Sequence, residues 1–278
     1  MRFTPKLADG NVNVSREHPL KEAAWLVGGL ILLLVLLYIV LGFVASLVAT
    51  HLPVQAEIWI GDKLSARFQG QADKVLQQHL DDLLRALPDD SPLHAYPFRI
   101  YLNDSDKVNA FALPGGSIVV FKGLLQAVGS ENELDMVLAH ELGHFAHRDH
   151  LQAMGRSLLV VVGSWLLPGD QSSDMVPWIA GKLEKKYSQK QEAAADSWGL
   201  DLLNRRYGHV GGATDFFKRL AGKNKSHFAY FLATHPHPED RMQSLNTLIR
   251  QNGYAVGKTI PLTKGQVDAK ARGAERAE

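Results

Sequence analysis

Residues 139–150 read AHELGHFAHRDH and set four histidines, His140, His144, His147 and His150, in one short run. On a helix each residue advances about 100° and about 1.5 Å. His140 and His144 then project one turn apart, with Glu141 about 100° round from His140. This is the geometry of the H-E-x-x-H motif: two imidazoles on one metal ion and a carboxylate beside them to act on water. Leu142 points the other way, into a core.

His147 shares the angle of His140 but sits about 10 Å along the axis, too far for one zinc with bonds of about 2.0–2.1 Å. His150 falls where the metzincin pattern H-E-x-x-H-x-x-G-x-x-H has its third ligand. That pattern needs its glycine to swing the last histidine back, and here His147 occupies the glycine position. A continuing helix carries His150 about 15 Å away from His140. Both residues are expected on the surface or flank of the helix.

A third ligand is offered by QEAAADSWG (191–199), where Glu192 and Asp196 lie four apart on one helix face. Alone, such a pair reads as solvated charge. Beside H-E-x-x-H it reads as a metal ligand, Glu192, and an acceptor for the free ring N–H of a ligand histidine, Asp196. The chain has no cysteine, so any metal site must draw on His, Asp or Glu.

These residues need elements to hold them. Ser130 followed by Glu133 forms a capping box, which starts the motif helix near Glu131 and runs it through residues 139–150. A second helix is expected over about 183–207, stopped by Gly208. Residues 72–87 carry apolar side chains at helical spacing up to Pro88. FRIYL (98–102) and SIVVF (117–121) read as strands, with NAFALPGG (109–116) extended between them and closed by a Pro-Gly-Gly turn. AEIWIGDKLSARF (56–68) has the composition of a strand or two around a Gly-Asp turn. The apolar run 157–168 is too short to span a bilayer and reads as a buried helix between the two motif helices, the alternative being a lid or a surface that dips into the membrane.

From Trp25 to Thr50 there are 26 residues without a charge. As a helix this is about 39 Å long, enough to cross a hydrocarbon core of about 30 Å, and too long for a signal-peptide core. Arg2, Lys6, Arg16 and Lys21 precede it, against Lys63 and Arg67 soon after, which favours an inside N-terminus. With 278 residues and a net charge of +1, the chain gives no electrostatic case for nucleic acid. Four regions follow: a short leader (1–24), a transmembrane helix (25–50), one catalytic domain (51–262) and a polar tail (263–278) expected to fray.

NAFALPGG, HELGH, EAAAD and THPHPEDR (234–241), in that order, resemble the M48 zinc metallopeptidases over about residues 57–248. The resemblance implies an α+β fold: a mainly helical zincin-like domain, a small sheet bearing a substrate-binding edge strand, and the N-terminal membrane helix. It implies one zinc ion per chain on His140, His144 and Glu192, with Glu141 as general base and acid and Asp196 orienting a ligand histidine. Asn109 and Ala110 would lie on the substrate-pairing strand. His235 would approach the zinc, stabilising the oxyanion or serving as a removable fourth ligand, and Arg241 would be structural. His237 is a second imidazole in the same motif, and the sequence does not say which of the two faces the metal. Members often carry Arg in an S-R-x-x-E run where this chain has Gln189, which puts a salt bridge near the site in doubt.

The expected function is a single-pass, membrane-anchored zinc endopeptidase of the bacterial-type inner membrane, its catalytic domain periplasmic. Its substrates would be extended segments of unfolded or membrane-associated proteins, in protein quality control. The alternative is a catalytically latent zinc-binding chaperone or adaptor, its fourth coordination site closed by His235 or His237.

Overall fold

The structure, a computed structural model, describes residues 18–65, 70–155, 187–222 and 228–262. The apolar run 157–168 and the tail 263–278 lie outside the described residues. Two compact units result, Met1–Val44 and Ala45–Glu278.

The first unit is helical from Pro19 as part of α1 (Pro19–Thr50), and its stretch Pro19–Val44 has the length and apolarity of a membrane span. Its large apolar side chains, from Trp25 to Phe43, are exposed.

In the second unit, α2 (Val54–Ser65) stands where the sequence suggested strands. Its buried positions are Glu57, Ile60, Gly61 and Leu64, a helical i, i+3, i+4, i+7 face. Two of those four are a carboxylate and a glycine, so the apolar periodicity that marks a helix is not visible. β1 (Gln71–Ala72) leads into α3 (Lys74–Arg85), capped by Asp73, whose side chain accepts from the N–H groups of Val75 and Leu76. β2 (Arg99–Asn103), β3 (Ala110–Leu113) and β4 (Ser117–Phe121) complete a four-stranded sheet in the order β1-β2-β4-β3. β2 and β4 are parallel, and the outer strands are antiparallel to their neighbours. β3 is therefore an edge. The core packs Leu76, Leu80 and Leu83 of α3 with Ile100, Ile118 and Val120 of the sheet and with Leu134, Leu138 and Leu142.

After α4 (Lys122–Ala127) comes the motif helix α5 (Glu131–Ala146), started by Ser130, whose hydroxyl accepts from the Glu133 N–H. It does not run on to His150. The chain turns at 147–148, with Arg148 at a left-handed φ of 58°, and becomes helical again at 149–155. α6 (Gln189–Tyr207) opens on a Ser188–Gln191 capping box and ends at left-handed Gly208. α7 (Asp215–Leu220), α8 (Ala229–Thr234) and α9 (Pro238–Asn252) close the domain.

Candidate metal centre

α5 and α6 supply most of the site because their backbones run unusually close. A Cβ on Gly143 would stand 2.9 Å from the Ala195 carbonyl oxygen, and one on Gly199 would stand 3.1 Å from the His140 nitrogen. Any larger residue at these two positions forces the helices apart and with them the side chains they carry.

The residues that converge are His140, His144, Glu192 and His235, each buried, with one ligand atom apiece all within 4.8 Å of one another. α5 provides the two histidines and α6 the glutamate. His235 arrives from the end of α8, its Nδ1 3.0 Å from Glu192 Oε1 and 3.3 Å from His140 Nε2. His237 is not part of this group. Its backbone is left-handed (φ 62°), and its half-exposed ring turns toward Asp240 at 3.8 Å.

Each ligand candidate is held from behind. His140 Nδ1 lies 2.9 Å from Asp196 Oδ1, the contact expected for an orienting carboxylate. His144 Nδ1 lies 2.8 Å from Asp149 Oδ2, and Asp149 Oδ1 in turn accepts from the Gln191 side-chain amide at 2.9 Å. The Tyr187 ring stacks on His144 at 3.9 Å, and the Phe231 ring stacks on His235 at 4.6 Å. Arg241 of α9 is buried; it donates Nε and Nη2 to the two Asp196 oxygens at 2.8 and 2.6 Å and brings Nη1 within 2.6 Å of Glu192 Oε2. Such a two-pronged contact fixes a carboxylate's orientation as well as its charge.

Asp149, Tyr187 and Gln191 were not found by sequence reasoning. Asp149 comes into position only because α5 stops at Ala146, and no glycine or proline marks that stop. Gln191 did carry a signal, the S-x-x-Q of a capping box. His150, expected on the surface, is fully buried; it faces Glu57 at 2.9 Å and stacks on Phe145 at 4.3 Å. His147 caps α5 and lies by the Gly143 carbonyl oxygen at 2.8 Å. Gln189 is exposed at the start of α6.

Electrostatics mark this as a place for a cation. Burial together with the Arg241 and His144 charges pushes His140 down to about 3, leaving its ring neutral with a lone pair to give. Burial also opposes charge on His144, yet the hydrogen bond to Asp149 and the nearby Glu192 carboxylate outweigh it and lift the ring to about 9. The Glu192 carboxyl is pressed far below its usual range, against its burial, by His235 and Arg241. Glu141 is raised by burial, and neither of its oxygens, nor His144 Nε2, makes a hydrogen bond. Buried polar atoms that lack partners are costly. A divalent ion and a water between these groups would satisfy them, so the donor set, two imidazoles and a carboxylate with a third imidazole near, fits zinc.

Near the centre the sheet presents its edge. The Asn109 carbonyl accepts from the Phe121 N–H at 3.0 Å, and β3 pairs Phe111 with Val119 and Leu113 with Ser117. In an antiparallel ladder bonding pairs alternate, so Ala110 and Ala112 direct their backbone groups to the open side. Asn109 and Ala110 are both buried, and Asn109 Oδ1 is without a partner.

The family model described as Peptidase family M48 matches residues 71–249. The chain is 31% identical over 195 residues to "Metalloendopeptidase OMA1, mitochondrial" of Danio rerio, covering 63% of this chain and 40% of that protein. It is 27% identical over 219 residues to "Beta-barrel assembly-enhancing protease" of Yersinia pestis, covering 72% and 45%. The protein of the same name in Escherichia coli (strain K12) is 28% identical over 210 residues, covering 69% and 43%. The chain thus spans less than half the length of these curated relatives.

Proposed function

The chain belongs to peptidase family M48, and from that premise we propose that it is a membrane-anchored, zinc-dependent endopeptidase acting on extended segments of unfolded or membrane-associated proteins. The observation that carries the reading is the meeting of His140, His144, Glu192 and His235 within 4.8 Å, with unpartnered Glu141 beside them.

His140, His144 and Glu192 would hold one zinc ion. When bound, it supplies a Lewis acid for the scissile carbonyl and lowers the pKa of water to about 7. Glu141 takes the proton of the attacking water and gives it to the leaving amine, a role its raised pKa suits. His235, whose Nε2 lies 3.6 Å from Glu141 Oε1, donates to the oxygen on which negative charge develops. Asp196, clamped by Arg241, orients His140. Ala110 offers backbone groups that add the substrate as a further strand, and the Asn109 amide stands at the start of that edge. Strand addition requires an extended chain, which folded proteins seldom expose; this supports unfolded or loosely folded substrates. The relatives' names, a mitochondrial metalloendopeptidase and a protease that enhances β-barrel assembly, agree with protein substrates.

The stretch Pro19–Val44 supports the anchor. The excess of basic residues ahead of the uncharged span Trp25–Thr50 supports an inside N-terminus, which in a bacterial-type inner membrane would put the catalytic unit on the periplasmic side.

The test is cleavage of an unfolded model protein by the full chain in detergent with zinc. Glu141→Gln is expected to lower kcat about 10²- to 10⁴-fold with zinc content unchanged, and a chelator is expected to abolish cleavage. A Glu141→Gln enzyme as fast as wild type would remove Glu141 from the chemistry. One observation favours a second reading, a latent zinc-binding chaperone: His235 lies among the ligand atoms and is able to close the fourth position. A wild type that binds zinc but cuts nothing, with cleavage appearing in His235→Ala, would describe a latent protease. Silence in both would favour the chaperone.

A further inference from the structure

Outside the metal centre a buried polar cluster surrounds Glu57 of α2, a fully buried residue with no part in the chemistry above. Its Oε2 accepts from the Tyr96 hydroxyl at 2.8 Å and from Arg148 Nη2 at 2.8 Å. Its Oε1 lies 2.9 Å from His150 Nε2 and accepts from the Gly115 N–H at 3.3 Å. One carboxylate thereby joins two places. Gly115 belongs to the turn that ends the edge strand β3; Arg148 lies in the turn that follows α5, and His150 in the first turn of the helical segment after it.

Asp149 lies between Arg148 and His150, and its carboxylate holds His144 Nδ1 at 2.8 Å. The conformation that makes this contact is not one the chain adopts freely. Arg148 has a φ of 58°, a region that disfavours side chains with a Cβ, so surrounding contacts must hold it there. The contacts on either side of Asp149 are those to Glu57, reinforced by Arg148 Nη2 donating to the Leu52 carbonyl at 2.6 Å and by the stacking of His150 on Phe145. Sequence reasoning singled out His150 only as a failed metal ligand; its role is to turn away from the metal and tie down the residue that precedes it.

We propose that Glu57 is a positioning residue for the metal centre: by holding Arg148 and His150 it fixes the turn that presents Asp149 to His144, and by holding Gly115 it ties the same point to the end of the edge strand. The proposal rests on the reading of His144 as a zinc ligand. Carboxylates that orient a ligand histidine typically change metal affinity about 10- to 100-fold when altered. A residue acting through such a carboxylate therefore has the same kind of effect, smaller or equal.

The experiment uses the full chain in detergent and compares wild type with Glu57→Gln, Asp149→Asn and the double variant. Zinc affinity is read by chelator competition, and the ligand field by the visible spectrum after cobalt substitution. Glu57→Gln is expected to weaken zinc binding about tenfold and to alter the cobalt spectrum. The double variant is expected to bind no more weakly than Asp149→Asn alone, because both changes break one chain of contacts. Wild-type zinc affinity and an unchanged cobalt spectrum in folded Glu57→Gln would overturn the proposal, as would full additivity with Asp149→Asn. Should Glu57→Gln not fold, Arg148→Ala carries the test, since its side chain is partly exposed; unchanged affinity and spectrum there overturn it equally. A wild type that binds neither metal overturns the proposal together with the reading beneath it, whereas metal binding without cleavage overturns neither the site nor this network.

Discussion

α1 and α5 are both helices, and each inverts the rule the other obeys. α1 leaves Leu30 to Leu37 exposed along with its other described large apolar side chains. α5 buries Glu133, Asp135, His140, Glu141 and His144. Apolar exposure on that scale has no compensation in water and is ordinary in lipid. Buried charge has no compensation in a protein interior unless partners are built for it. α5 has them: Arg219 meets Glu133, His79 lies 2.7 Å from Asp135 with Arg206 at 3.0 Å, and Asp196 and Asp149 face the two motif histidines. Glu141 alone on that face makes no hydrogen bond. The contrast teaches that one helix is specified by its solvent and the other by its neighbours.

Breaking the neighbours should have the largest effect on stability. Arg241→Ala leaves the buried Asp196 and Glu192 carboxylates without their guanidinium partner, and is expected to cost about 3–5 kcal/mol, read by urea titration at saturating zinc. A loss below about 1 kcal/mol would mean that the carboxylates find water or rearrange. Changing the solvent-facing helix comes next. Leu36→Arg in α1 is expected to disfavour membrane insertion by about 3–4 kcal/mol, seen as a lower fraction retained in membranes. Cleavage by the detergent-solubilised chain should be unchanged, and full membrane retention would count against a span there.

Acid sharpens the same comparison with a smaller effect. The Glu57 carboxyl, despite its burial, is lowered from 4.5 to about 2 by His150, Arg148 and Tyr96. A depressed folded-state pKa contributes stability that is complete above the unfolded value of 4.5 and is lost as pH falls through about 2. The contribution is on the order of 3 kcal/mol. The stability of wild type should therefore fall more steeply than that of Glu57→Gln between those values, and parallel curves would refute the assignment. α1, whose span Trp25–Thr50 carries no charge, should keep its helical signal throughout.

Much of this was legible before any coordinates. Ser130 and Gly208 mark helix ends through local hydrogen bonds or backbone preference, and the structure uses each of them so. The strands β2 and β4 follow their β-branched and aromatic content. α2 reads as strand in the sequence because half of its buried face is Glu57, held by Arg148, His150 and Tyr96, and Gly61, packed against Pro114 and Gly115, all partners far away in sequence. The end of α5 was read too late for a related reason: the turn at Arg148 has no breaker residue and is held by those same distant contacts.

What the sequence by itself determined is the local geometry of the chemistry. The i, i+4 spacing places His140 with His144, and Glu192 with Asp196, because a helix turns about 100° per residue whatever surrounds it. The tertiary structure alone decided that the two pairs meet, through the close approach at Gly143 and Gly199, and that His235 rather than His237 faces them. It also decided that Asp149 stands behind His144. Convergence of groups some forty to one hundred positions apart is set by the packing of whole helices, and no short window of sequence contains it.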